Sequence, residues 1–183
     1  MRTHILLTGK PRAGKTTLLK IIIQGLESCG GFYTEEIIED NKRIGFRIKT
    51  LRGKEGILAM EGLRAKFRLG KYGINLKDLE EIGVKAVEES LKGKDIVVID
   101  EIGKMELFSQ AFKDIVLKAL DSDKRVIGVI HREISDFLNA IKSRKDVLLF
   151  EVDLDNHKEL LEKINSILNP SYTKQSCNFS ERI

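Results

Sequence analysis

At 183 residues the chain suffices for one domain with a sizeable core, so it needs neither disulfides nor a structural metal to hold together. The formal net charge of +4 is mild, both signs are interspersed, and no block of like charge implies a nucleic-acid partner. Cys29 and Cys177 fit no metal spacing, the N-terminus shows no signal-peptide pattern, and no apolar run approaches the ~18 residues of a membrane span; a reducing cytoplasm is the expected setting and a monomer the expected state.

Ile5 to Thr8 reads as a short apolar strand, bounded by Gly9. Gly9-Lys10-Pro11-Arg12-Ala13-Gly14-Lys15-Thr16 then matches G-x-x-x-x-G-K-[ST], in the setting that motif requires: after a strand and opening a helix. Phosphate oxygens need several donors aimed at one small volume. Glycines let backbone N–H groups approach closely, and the helix start adds unpaired N–H groups and a positive dipole end. Lys15 is expected to reach the β and γ phosphates, and the Thr16 hydroxyl to take a place on Mg²⁺. The helix is predicted over 16–28, with Leu18, Leu19, Ile22, Ile23 and Leu26 inward and Gly30-Gly31 ending it; Cys29 at its end is expected to be a small core residue.

Residues 32–60 predict an antiparallel ribbon inserted in an otherwise alternating pattern. Phe32-Tyr33-Thr34 and Ile37-Ile38 read as extended, Asp40-Asn41-Lys42 as a turn, Ile44, Phe46 and Ile48 alternate with polar residues, and Gly56 to Met60 form another short strand. Residues 61–75 are basic and read as irregular. A helix follows from Leu76, stopped by Gly93. Ile96-Val97-Val98-Ile99 is a β-branched run expected as a fully buried strand, with a loop from Asp100 to Leu107. A helix over about 109–120, a strand over 126–130 ending in His131-Arg132, a short helix carrying Phe137, Leu138 and Ile141, a strand over 147–152 and a helix over 157–168 complete the pattern, before a polar tail over 169–183.

Strands alternating with helices argue an α/β fold: a mostly parallel sheet with helices on both faces, in a single domain over 1–168. Ligands in such sheets bind beyond the carboxyl ends of the strands. Asp100 at one such end makes a Walker B pattern and is expected to hold Mg²⁺ opposite Thr16, across neighbouring parallel strands. Glu101 is expected to face the attacking water as general base. Lys104 either neutralises charge on the phosphates or pairs with Glu106 on the surface. His131, Arg132 and Arg12 are further candidates near the γ phosphate, and Tyr33 and Tyr72 either stack on a base or simply pack. The expected nucleotide contacts are thus Gly9, Lys10, Pro11, Arg12, Ala13, Gly14, Lys15, Thr16 and Thr17 on the first loop. On the second strand they are Ile96, Val97, Val98, Ile99, Asp100, Glu101, Ile102 and Gly103.

Several stretches together, Thr8-Gly9-x-Pro11-x-x-Gly14-Lys15-Thr16-Thr17-Leu18, Gly31-Phe32-Tyr33-Thr34-Glu35-Glu36, Arg47, Tyr72-Gly73-Ile74 and Asp100-Glu101-Ile102-Gly103-Lys104-Met105-Glu106, resemble the small nucleoside-triphosphatase family of P-loop NTPases, from about residue 3 to about residue 168. The resemblance implies a RecA-like fold that hydrolyses the β–γ bond of NTPs with Mg²⁺ and broad base tolerance. It implies Asp100 as metal-side carboxylate, Glu101 as catalytic carboxylate and Lys104 as transition-state cation. Members commonly carry glycine after the loop proline, where this chain has Arg12; a positive φ there would strain an arginine. Two other readings use the same scaffold. One is a small-molecule or nucleotide kinase, with the basic segment 61–75 over an acceptor. The other is a nucleotide-switched RNA-binding module using Arg43, Arg47, Lys49, Arg52 and Lys54.

Overall fold

The computed structural model describes residues 2–169, so the tail expected beyond that point lies outside the described residues. Along the chain run β1 (His4–Thr8), α1 (Lys15–Gln24), β2 (Cys29–Glu39), β3 (Lys42–Thr50), β4 (Glu55–Glu61), β5 (Arg68–Leu69) and β6 (Tyr72–Ile74). Then come α2 (Leu76–Asp78), a wider π-helical segment (Leu79–Val84), α3 (Lys85–Gly93), β7 (Ile96–Ile102), α4 (Gln110–Leu120), β8 (Arg125–Ile130), α5 (Asp136–Lys142), β9 (Val147–Glu151) and α6 (His157–Leu168). The described strands form one sheet in the order β5-β6-β4-β3-β2-β7-β8-β1-β9.

The sheet is parallel from β2 through β7, β8 and β1 to β9, and antiparallel from β2 through β3, β4 and β6 to β5. β2 belongs to both halves, so the antiparallel strands widen the main sheet. β8 lies between β1 and β7, which corrects the expectation that the phosphate loop and the acidic pair sit on adjacent strands. Two inter-strand steps separate the strand tips by roughly 10 Å.

Two cores cover the two faces, and the strands feed them alternately. Leu6, Val97, Ile99, Val126 and Ile130 pack with Leu79, Val87, Phe112, Val116, Leu138 and Ile141 on one side. Ile5, Leu7, Val98, Ile127 and Val129 pack with Leu18, Leu19, Ile22, Leu160 and Ile164 on the other. The period of two on the central strands thus holds even where both faces are buried. His4 is buried and fully bonded: Nε2 donates to the Leu120 carbonyl at 3.0 Å and Nδ1 accepts from the Val126 N–H at 3.0 Å, while burial lowers its pKa.

Several local expectations need correction. α1 ends at Gln24, with the Gly25 N–H bonded back to the Ile23 carbonyl; Gly30 and Gly31 lie inside β2, and so does Cys29, half-buried. A helical continuation lost to the pairing of Cys29 with Ile96 and Gly30 with Val97 in the parallel ladder. The stretch 61–75 is not wholly irregular: β5 and β6 form a small hairpin that buries Tyr72 and Ile74 against Ala59. β7 runs past Ile99 through Asp100 and Glu101 to Ile102, because Ile102 still pairs with Ile130 after a register shift.

Ser109 caps α4. Its hydroxyl accepts from the Phe112 N–H at 3.1 Å and donates to Glu80 Oε1 at 2.6 Å, tying α4 to the π-helical segment. Ser109→Ala will lower unfolding stability by about 1–2 kcal/mol, read from the urea midpoint.

Candidate active site

The strand tips open into a cavity of about 700 Å³ lined by Gly9, Pro11, Arg12, Gly14, Lys15, Thr16 and Thr17 from the first loop. Glu101, Lys104, Met105 and Glu106 line it from the loop after β7, Val129 and His131 from the end of β8, and Lys20 from α1. Its far side is made by Thr34, Glu35, Glu36, Arg43, Phe46, Leu58 and Leu69. Residues more than a hundred positions apart therefore face one space, as strand tips of a parallel sheet do.

The loop is wound tightly. Lys15 Nζ donates to the Gly9 carbonyl at 3.2 Å and the Lys10 carbonyl at 2.8 Å, and the Ala13 N–H donates to the Lys10 carbonyl at 3.3 Å. Gly14 has φ 81 and Arg12 has φ 63, so the position where family members commonly carry glycine is indeed left-handed here. Arg12 bears the steric cost of that conformation with its side chain exposed.

Asp100 is 1% exposed, and its Oδ2 has no hydrogen-bond partner among the described residues; neither has the buried Thr8 Oγ1. Burial pushes the Asp100 carboxyl up to about 7, the Thr16 hydroxyl beside it pulls the other way, and the Glu101 charge raises it further. A buried carboxylate oxygen without a partner, on a side chain beside the Thr16 hydroxyl, is a ligand a hard divalent cation selects, so Mg²⁺ fits this corner. Among the described residues no group of three or more His, Cys, Asp or Glu forms a dedicated metal cage.

Glu106 differs most from expectation. It does not pair with Lys104 on the surface. It is 4% exposed, and burial together with the charges of Glu101 and Asp100 raises its carboxyl to about 8. A Cβ added at Gly103 would meet Glu106 Oε2 at 3.1 Å and Glu101 Cδ at 3.3 Å, so the two carboxylates crowd around that glycine. Lys104 instead pairs with Glu133, from the loop after β8.

The other expected residues divide clearly. Val97, Val98, Ile99 and Ile102 are fully buried and, with Ile96, belong to the hydrophobic cores rather than the cavity wall. Lys10 contributes its carbonyl and Ala13 its N–H to the loop's internal bonding, and neither lines the cavity. Arg132 lines only a shallow neighbouring depression with Pro11, Lys104, His131, Glu133 and Ile134. Tyr72 is buried edge-on against Phe46, with its hydroxyl bonded to Arg43, and Tyr33 lies beneath Lys20. Tyr72 is a packing residue, and neither tyrosine lines the cavity.

A family profile described as NTPase matches residues 4–165. The chain is 52% identical over 164 residues to a protein of Thermotoga sp. strain RQ2 named nucleoside-triphosphatase THEP1, covering 90% of this chain and 94% of that one. The crystal structure of THEP1 from the hyperthermophile Aquifex aeolicus superposes with a TM-score of 0.82 at 36% identity, covering 90% of this chain and 98% of that one. The solution structure of a human cancer-related nucleoside triphosphatase superposes at 0.79 and 35% identity, covering 94% of this chain and all of that one.

Proposed function

The chain belongs to the nucleoside-triphosphatase family, and from that premise we propose that it hydrolyses NTPs to NDP and phosphate by in-line attack of water on the γ phosphate. The observation that carries this reading is the single cavity shared by the glycine-rich loop, Thr16 and Glu101, with Asp100 buried against Thr16. Backbone N–H groups of the loop and Lys15 bind the triphosphate, exchanging the two carbonyls that Lys15 now contacts for phosphate oxygens. Thr16 and Asp100 would hold Mg²⁺, which when bound would offset negative charge on the phosphates. Glu101 orients the water and takes its proton.

Lys104 is the transition-state cation of this scheme, and its pairing with Glu133 means it must exchange one carboxylate partner for phosphate. That exchange argues slow turnover, below ~10 s⁻¹. Among the described residues the aromatic rings at the cavity wall are the packed Phe46 and the His131 imidazole, a sparse surface for a base that fits broad base tolerance. Neither the kinase reading nor the RNA-switch reading has comparable support. Among the described residues no helix is long and apolar enough to cross a membrane; a monomeric, cytoplasmic enzyme belongs to the same proposal. The test is phosphate release from ATP, GTP, CTP and UTP with Mg²⁺. Release from several of them at a slow rate is expected, and none above the enzyme-free control would overturn the reading.

A further inference from the structure

We propose that His157, the first residue of α6, is a positioning residue that orients the phosphate loop for its ligand. The proposal rests on reading that loop as the triphosphate site. His157 Nε2 lies 2.7 Å from the Ala13 carbonyl, 144 positions away in sequence. A carbonyl only accepts, so Nε2 carries the hydrogen and donates it. The ring also fills the space beside Gly14: a Cβ there would lie 2.4 Å from His157 Cε1.

The consequence follows from peptide geometry. The Ala13 carbonyl and the Gly14 N–H share one planar trans unit and point in opposite directions. Holding the carbonyl toward α6 therefore holds the Gly14 N–H toward the opposite side of that unit. Glycine permits the left-handed conformation seen at Gly14, φ 81, and equally permits others, so this peptide lacks the steric barrier that would otherwise prevent its rotation. A rotated peptide would replace a donor by a carbonyl oxygen and repel phosphate. His157 supplies the restraint that the glycine removes.

The corner that carries His157 is built to stay in place. Val152 N–H donates to the Thr8 carbonyl at 2.7 Å, and a Cβ at Gly9 would lie 2.3 Å from the Val152 carbonyl oxygen, so the same corner braces the loop's first glycine. Asp153 Oδ1 accepts from the Asp155 and Asn156 N–H groups, and the Asn156 side chain accepts from Asp153 N–H and donates to the Glu151 carbonyl. Leu160 and Ile164 then anchor α6 in the core shared with Leu18, Leu19 and Ile22 of α1. The imidazole thus acts on the loop from a fixed frame.

The test compares Mg·ADP affinity by calorimetry and NTP steady-state kinetics in wild type, His157→Ala, His157→Gln and Lys15→Ala. Gln keeps a side-chain N–H donor. His157→Ala is expected to weaken ADP binding and raise KM about tenfold with kcat little changed, as for loss of one charge-assisted hydrogen bond made equally in ground and transition states. His157→Gln is expected to restore most of the affinity. Unchanged affinity in His157→Ala, equal weakness in both His157 variants, or a fall in kcat at constant KM would each overturn the proposal. Should His157→Ala not fold, ¹⁵N spectra of the wild-type Mg·ADP complex decide: the Nε2–H form is required, and the Nδ1–H tautomer would refute it. Wild-type ADP affinity in Lys15→Ala would instead discard the site assignment itself, a separate failure.

Discussion

Glu101→Ala will lower NTP turnover by at least ~10²-fold while leaving Mg·nucleotide affinity within a few-fold of wild type. Glu101 is half-exposed on the cavity wall and offers its carboxylate to the space in front of the loop, whereas Asp100 turns into the protein beside Thr16. Asp100 is 1% exposed while Glu101 lines the cavity, so in the proposed scheme the two adjacent carboxylates take two roles: one toward the cation, one toward the water. The variant also has a stability signature. The Glu101 charge raises both Asp100 and Glu106, so removing it relieves two buried like-charge repulsions. The melting temperature near pH 9, where both carboxyls are ionised, is therefore expected to rise while activity disappears. Equal phosphate release by the variant would remove Glu101 from the mechanism, and a variant that lost both activity and nucleotide binding would make it a ligand-holding group instead.

Glu106→Gln will flatten the pH dependence of stability of the nucleotide-free protein. Glu106 has its folded-state pKa raised to about 8 from an ordinary 4.5. Between those values the folded state binds more protons than the unfolded chain, so stability falls as pH rises, from about pH 4.5 until it levels above about pH 8. At ~1.4 kcal/mol per unit of pKa difference, the loss attributable to this group is on the order of 5 kcal/mol at pH 9. Glutamine approximates the protonated acid in size and polarity. The variant should match wild type at pH 4.5 and exceed it at pH 9, by urea unfolding without Mg²⁺. Asp100, raised to about 7 from 3.8, leaves a residual slope of the same sign in both proteins. Parallel stability curves for the two proteins would show that Glu106 is solvated when charged, contrary to its 4% exposure.

The elements whose chemistry lies within a short window were legible in the sequence. The phosphate loop was readable because eight consecutive residues carry its glycines, lysine and threonine between a strand and a helix. The buried strands were readable from continuous β-branched runs, and α6 from its apolar periodicity over 157–168. Whether the position after Pro11 is left-handed was left open by the sequence, where only the glycine common in family members raised the question, and the structure gives Arg12 φ 63. Where neighbours compete, local reading failed. Glycines at 30 and 31 looked like a helix stop but sit in a strand, because pairing with β7 outweighs a propensity worth a fraction of a kcal/mol per residue.

By itself, then, the sequence determined the fold class, the anion-binding loop and the acidic pair at a strand tip. Only the tertiary structure decided that β8 separates that pair from the loop, that Glu106 turns inward while Lys104 joins Glu133, and that His157 reaches Ala13. The reason is physical. Strand order, desolvation and contacts across 144 positions are properties of the assembled sheet, and a residue's own neighbours in sequence carry no record of them.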